Sequence, residues 1–269
     1  MDAFSICGTC GVEHAEAVGV CEICADDRQW VPADGQHWTT IDELAASGRR
    51  TQLRELEPGL LGLTVAPKVG IGQQAHVVRT PAGSVLWDPT GYVDDDAVAQ
   101  LGDVVAIASS HPHMFGVQVE WSRRLGGVPV LVSEPDEAWV ARTDPAIRTW
   151  RGRQELAPGL TLIAFGGHFP GSAVLHWEAG AGGRGVLLVS DTIQANPDRK
   201  TVTFMRSYPN RIPLSGPVVE RMAQAFAGLE FDRLYDNFGN TIDVDAGGAV
   251  RRSAERHVAW VRGDFDRLT

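Results

Sequence analysis

The chain has 269 residues, 43% hydrophobic and 22% charged, a globular composition long enough for one large core or two modest ones. A formal net charge of −10 repels phosphate backbones and anionic lipid surfaces, and no Lys/Arg run overrides it locally, so neither nucleic acid nor a membrane is an expected partner. No apolar stretch reaches the roughly 18 residues that span a bilayer, no basic-then-apolar leader opens the sequence, and all four cysteines fall in the first 24 residues, which together point to a cytoplasmic protein without a disulfide framework.

The segment CGTCGVEHAEAVGVCEIC sets Cys7, Cys10, Cys21 and Cys24 in two C-x2-C pairs. Each pair can wrap a knuckle that aims two thiolates at one ion, and two knuckles complete a tetrahedron. So short a segment has few apolar residues of its own, and a metal would supply much of its folding energy. It resembles a zinc ribbon or a rubredoxin knuckle pair, which implies structural zinc, with iron as the other thiolate metal. Four sulfurs fill the shell, so His14 reads as an exposed loop residue and not as a ligand.

Residues 1–38 are thus expected to form a four-cysteine segment and 39–52 a helical linker, where Thr40 and Glu43 make a capping box and Gly48 ends the helix. From residue 53 short strands take over. LRELEPGLLGLTV precedes a hairpin, QAHVVRTPAGSVLW; an Asp-capped helix DDDAVAQLG, a buried strand VVAIASS, a helix GVQVEWSRRLG and a strand VPVLVSE follow. The second half continues with strands LTLIAFGGH, AVLHWEA and GVLLVSD, a helix capped at Ser215 with Pro217 in its first turn, a strand FDRLYDNF and a last helix from about Asp245 to Arg262. GAGGRG reads as a hairpin turn. Most of the eight tryptophans, and His76, His176 and His257, read as packing or surface residues.

Three strand ends carry polar residues of interest: His111 and His113 in SSHPHMFG, His168 in GGHFPGS and Asp191 in LLVSDT. In extended backbone a histidine pair two apart puts both imidazoles on one side, as chelation requires, and Pro112 between them is expected to hold the chain extended. Taken together and in this order, the three stretches and the opening hairpin resemble the metallo-β-lactamase superfamily over residues 53 to 262.

The resemblance implies an α+β fold, a four-layer αββα sandwich over 53–269, and a metal site at one edge of the sheets. The family's first-metal ligands fall on His111, His113, His168 and Asp191. Its second-metal positions do not match: Phe115 and Gly116 stand in the Asp-His slots, and Phe238 falls in the late-histidine slot, with Asn237 or Asn240 as other registers. One full ligand set kept and the other replaced implies a mononuclear site holding zinc or iron. The implied function is hydrolysis of an ester, thioester or similar small substrate by a metal-bound hydroxide, with Asp191 as fourth ligand or proton acceptor. The alternative is a non-catalytic metal-binding or ligand-binding relative. In the 197–213 loop, Arg206, Tyr208 and Arg211 are candidates to contact an anionic substrate.

Overall fold

The computed structural model describes residues 4–269. Strands β1 (Ser5–Cys7), β2 (Glu13–His14) and β3 (Trp38–Thr39) form a small sheet in the order β2-β1-β3, with helix α1 (Glu22–Ala25) between β2 and β3. Helix α2 (Ile41–Ala46) carries the expected capping box, in which Thr40 Oγ1 accepts from the Glu43 amide at 3.2 Å and Glu43 Oε2 accepts from the Thr40 amide at 3.1 Å.

β4 (Arg50–Glu57), β5 (Leu60–Ala66), β6 (Ala75–Thr80), β7 (Gly83–Trp87), β8 (Val104–Ala108), β9 (Val130–Ser133) and β10 (Ile147–Trp150) make a seven-stranded sheet in chain order. It is antiparallel from β4 to β7 and parallel from β7 to β10. Helices α3 (Asp95–Leu101) and α4 (Gln118–Arg124) are the crossovers into β8 and β9. Next come β11 (Arg153–Ala157), β12 (Leu160–Ala164), β13 (Ala173–Trp177), the single turn α5 (Gly180–Gly183) and β14 (Val186–Leu188). Two ribbons, β15 (Gln194–Ala195) with β16 (Val202–Thr203) and β17 (Met205–Ser207) with β18 (Ile212–Pro213), precede α6 (Gly216–Phe226), β19 (Arg233–Tyr235), β20 (Thr241–Ile242) and α7 (Ala246–Arg262). The second sheet runs β11-β12-β13-β14-β19-β20. Ser215 stands at the start of α6, but its side chain caps nothing.

Period-two alternation sorts the apolar residues into layers. On β13, Ala173, Leu175 and Trp177 enter the core between the sheets, while Val174 joins the core under α6 and α7; on β14, Val186 and Leu188 face one way and Leu187 the other. The seven-stranded sheet buries its other face, including Leu63, Val77 and Ile107, against α3, α4 and the cysteine segment. The αββα sandwich read from the sequence is therefore the fold observed.

The cysteine segment shares that outer core with the sheet. The Glu13 amide donates to the Gly116 carbonyl at 3.0 Å, and the Glu13 carboxylate accepts from the Val119 amide at 2.5 Å and from Arg142 Nη1 at 2.5 Å. Glu13 thereby caps the start of α4 from the far end of the sequence. Burial pushes the Glu13 carboxyl up to about 7 against the pull of Arg142. Phe115 packs into the same core. Gly116 has φ +51°, and a Cβ there would meet the carbonyls of Pro89 and Thr90. Gly116→Ala is expected to lower unfolding stability by more than about 1 kcal/mol in urea denaturation, because left-handed backbone and a blocked Cβ both oppose it.

Candidate metal centres

The four cysteine sulfurs lie within 4.8 Å of one another, all buried, with Cys7–Cys24 at 3.6 Å and Cys10–Cys21 at 3.9 Å. A tetrahedron with metal–sulfur bonds of about 2.3 Å has edges of about 3.8 Å, so the sulfurs already stand at ligand spacing. Gln36 Nε2 donates to Cys7 Sγ at 3.2 Å. Hydrogen bonding shared among the sulfurs, led by the Cys10–Cys21 contact, holds Cys21 well below the thiol range and pushes Cys10 above it. His14 corrects the expectation of an exposed loop residue: it lies in β2, 5% exposed, with Nε2 3.4 Å from Cys21 Sγ and its ring edge-on to Trp38. The strand pairing Ser5 with His14 turns it inward, where it supports a cysteine sulfur.

The second cluster forms where β8, the β12–β13 turn and β14 end. The sulfur-free donor atoms of His111, His113, His168 and Asp191 also lie within 4.8 Å of one another. His111 Nε2 is 3.4 Å from Asp191 Oδ2, His113 Nδ1 is 3.4 Å from His168 Nε2, and His168 Nε2 is 3.9 Å from Asp191 Oδ2. Bonds of 2.0–2.1 Å to a tetrahedral ion imply edges of about 3.4 Å. Among the described residues, His111 Nε2 is a buried nitrogen with no hydrogen-bond partner. The residues present fit one divalent ion.

The way the histidine pair converges differs from the expectation. His111 is extended, at φ −169° and ψ 172°, but Pro112 opens a 3-10 turn, Pro112–Met114, instead of prolonging the strand. Proline's fixed φ suits the first position of a helical turn as well as an extended chain. The turn brings His113 Nδ1, not Nε2, toward His168.

Neighbouring groups fix the tautomers. His168 Nδ1 faces the Met205 carbonyl at 3.3 Å and must donate to it, so Nε2 carries the lone pair. His111 Nδ1 pairs with Ser110 Oγ at 2.8 Å. Burial, reinforced by His111, drives His113 well below the imidazole range and His168 to about 3, so both rings are neutral at ordinary pH and free to ligate. Burial raises the Asp191 carboxyl, but the adjacent His111 and His168 rings and the Gln194 amide outweigh it and leave the carboxylate ionised; Gln194 Nε2 donates to Oδ1 at 2.5 Å.

Two buried aspartates brace this shell. Asp88, at the end of β7, accepts from the Ser110 amide at 2.6 Å and from Asn237 Nδ2 at 3.0 Å, and burial pushes it up to about 6. Asp136 accepts from the Gly171 amide at 2.8 Å, and a Cβ on Gly171 would press on its carboxylate, so the turn carrying His168 needs glycine there. Neither aspartate stood out in the sequence; the one available signal for Asp88 is an acid closing an apolar strand before Pro-Thr-Gly.

A cavity of about 240 Å³ opens over the cluster, with Arg28, Lys68, Trp30, Gln194, Tyr208 and Phe238 among its walls. Phe238 is 41% exposed at the mouth, whereas Asn237 is fully buried on Asp88, so Asn237 is the residue of the late motif that points inward. Of the three loop candidates only Tyr208 reaches the cavity; Arg206 pairs with Asp27 at 2.8 Å, and Arg211 does not line it. The cations that line it come from Arg28 in the cysteine segment and Lys68 between β5 and β6. His76 is fully buried, His176 donates to the Glu230 carbonyl at 2.8 Å and His257 to that of Leu214 at 2.8 Å. Among the described residues no helix is long and apolar enough to cross a membrane.

No family model matches the chain. The Bacillus subtilis protein YmaE, described as uncharacterized, is 41% identical over 270 residues, covering 97% of this chain and 98% of YmaE. Among solved structures, the DIM-1 metallo-β-lactamase gives a TM-score of 0.59 at 12% identity, over 77% of this chain and 98% of that one. The metallo-β-lactamase FIM-1 from Pseudomonas aeruginosa, in its mono-zinc form, gives 0.54 at 14% identity over 77% and 96%. A B3 metallo-β-lactamase with an active-site glutamic acid gives 0.54 at 19% identity over 80% and 91%. Ser110→Ala, which removes the partner of His111 Nδ1, is expected to weaken metal binding at the histidines roughly 10- to 100-fold, read by competition against a chelator.

Proposed function

This chain belongs to the family of the uncharacterized Bacillus subtilis protein YmaE and has the metallo-β-lactamase fold, and on that premise we propose that it is a hydrolase working with one divalent metal, zinc in the first instance. The observation that carries the reading is the convergence of four buried donors near tetrahedral spacing, three of which, His113, His168 and Asp191, line a cavity. A bound metal supplies Lewis acidity there. Asp191 would serve either as the fourth ligand or, left off the metal, as acceptor of a proton from an attacking water, with Gln194 Nε2 donating to Oδ1 in both cases. Tyr208, its hydroxyl donating to the Thr203 carbonyl at 3.3 Å and pushed well above the phenol range by burial, stays neutral and offers a wall instead of a base.

Single-metal occupancy is supported by what fills the other positions. Phe115 is committed to the core shared with the cysteine segment, a side chain at Gly116 would run into two carbonyls, and Asn237 is held by Asp88. The cavity falls below the roughly 300 Å³ of ordinary ligand pockets, which favours a small ester, thioester or related acyl compound. Structural zinc is the reading for the four cysteines, which are buried and already at ligand spacing.

One observation favours a non-catalytic relative: four protein donors close a tetrahedron, whereas catalytic zinc keeps one position open. Turnover decides between them. Zinc-loaded protein is expected to hydrolyse some member of an ester, thioester and lactone panel, His111→Ala to reduce it to background, and Asp191→Asn to lower kcat roughly 100- to 10,000-fold. Metal bound at the histidines with no member turned over would leave the binding protein as the correct reading.

A further inference from the structure

The segment that follows Cys24 holds His168 from two directions. Arg28, 7% exposed, donates from Nε to the His168 carbonyl at 2.6 Å, a contact spanning 140 residues of sequence. Its Nη1 is fixed by Asp26 at 2.6 Å, so the guanidinium cannot turn freely. The guanidinium carbon lies 4.0 Å from the centroid of Phe169, and the Phe169 ring stacks on His111 at 5.6 Å and meets His113 edge-on at 5.0 Å. The same stretch also holds the far side of His168. Asn210 Nδ2 donates to the carbonyls of Asp27 and Gln29 at 2.9 and 3.1 Å, and Ser207 Oγ donates to that of Arg28 at 3.1 Å. Those residues fix the β17–β18 ribbon, whose Met205 carbonyl sets the His168 tautomer.

Arg28 stands four residues beyond Cys24, in a turn continuous with the second knuckle: its amide donates to Asp26 Oδ1 at 2.9 Å, and the Gln29 amide to the Asp26 carbonyl at 3.0 Å. We propose that Arg28 is a positioning residue for His168, and that the four-cysteine site, by placing Arg28, is a working part of the histidine metal centre. The two sites are then energetically coupled: an ion among the cysteines strengthens binding among the histidines, and the reverse holds by linkage. A lysine at 28 could reach the His168 carbonyl but could not supply a planar group that both stacks on Phe169 and donates in a fixed direction.

This inference rests on the histidine cluster binding a metal. Cobalt(II), titrated into metal-free full-length protein, tests it through two signals, near-ultraviolet charge-transfer bands that only the thiolates give, and ligand-field bands of the histidine site, which lie at shorter wavelength than those of tetrathiolate cobalt. Arg28→Met is expected to weaken cobalt at the histidines roughly 10- to 100-fold and to change its ligand-field spectrum while leaving the thiolate bands intact, with partial recovery in Arg28→Lys. Should Arg28→Met fail to fold, Asn210→Ala, which removes only the two bonds to the Asp27 and Gln29 carbonyls, is expected to shift the same bands by a smaller amount. Wild-type histidine affinity and spectrum in these folded variants would overturn the inference alone. Wild-type protein that takes cobalt only at its thiolates would overturn the metal reading of the histidines, and this inference with it.

Discussion

Everything at the sheet edge depends on one electrostatic constraint: lone pairs buried without donors. His111, His113, His168 and Asp191 are each no more than 5% exposed, and their facing atoms bring together an ionised carboxylate and, at His113 and His168, neutral imidazoles. Desolvating such groups without partners costs several kcal/mol, and a cation at their centre offsets that cost. The sheets supply the positions, because β8, the β12–β13 turn and β14 deliver their ends to one place. Asp88, Asp136, Ser110 and Gln194 then fix the rotamers and tautomers.

The two positions that depart from the two-metal pattern are where the cysteine segment attaches to the sandwich. Where the Asp-His pair would stand, Phe115 and Gly116 accept the cysteine segment: one enters its core and the other takes the amide of Glu13 at its carbonyl. The same segment returns Arg28, Gln29 and Trp30 to the cavity wall. With the segment in place, residue 116 has no room for a side chain, because φ +51° and the carbonyls of Pro89 and Thr90 allow only hydrogen.

The features legible in the sequence were those with local or periodic causes. The capping box at Thr40, the β6–β7 hairpin and the strands in AVLHWEA and GVLLVSD follow from residues near one another, and the structure has all of them. The spacing of the cysteines and the order of the histidine stretches named both donor sets that the structure gathers. What escaped was set by distant partners or by a choice between two conformations open to one residue. Pro112 is compatible with a strand or with the first position of a 3-10 turn, and only the packed site selects the turn. His14 looked exposed because the pairing of Ser5 with His14, which buries it, has no local signature. Arg28 was invisible for the same reason, since its acceptor lies 140 residues away.

Element-specific metal counting on protein purified from a zinc-containing medium tests the single-ion histidine centre most directly. About two zinc ions per chain are expected, one among the cysteines and one among the histidines, falling to about one when His111 and His168 are both replaced by alanine. Three ions per chain, or a count that does not fall when the two histidines are removed, would contradict it.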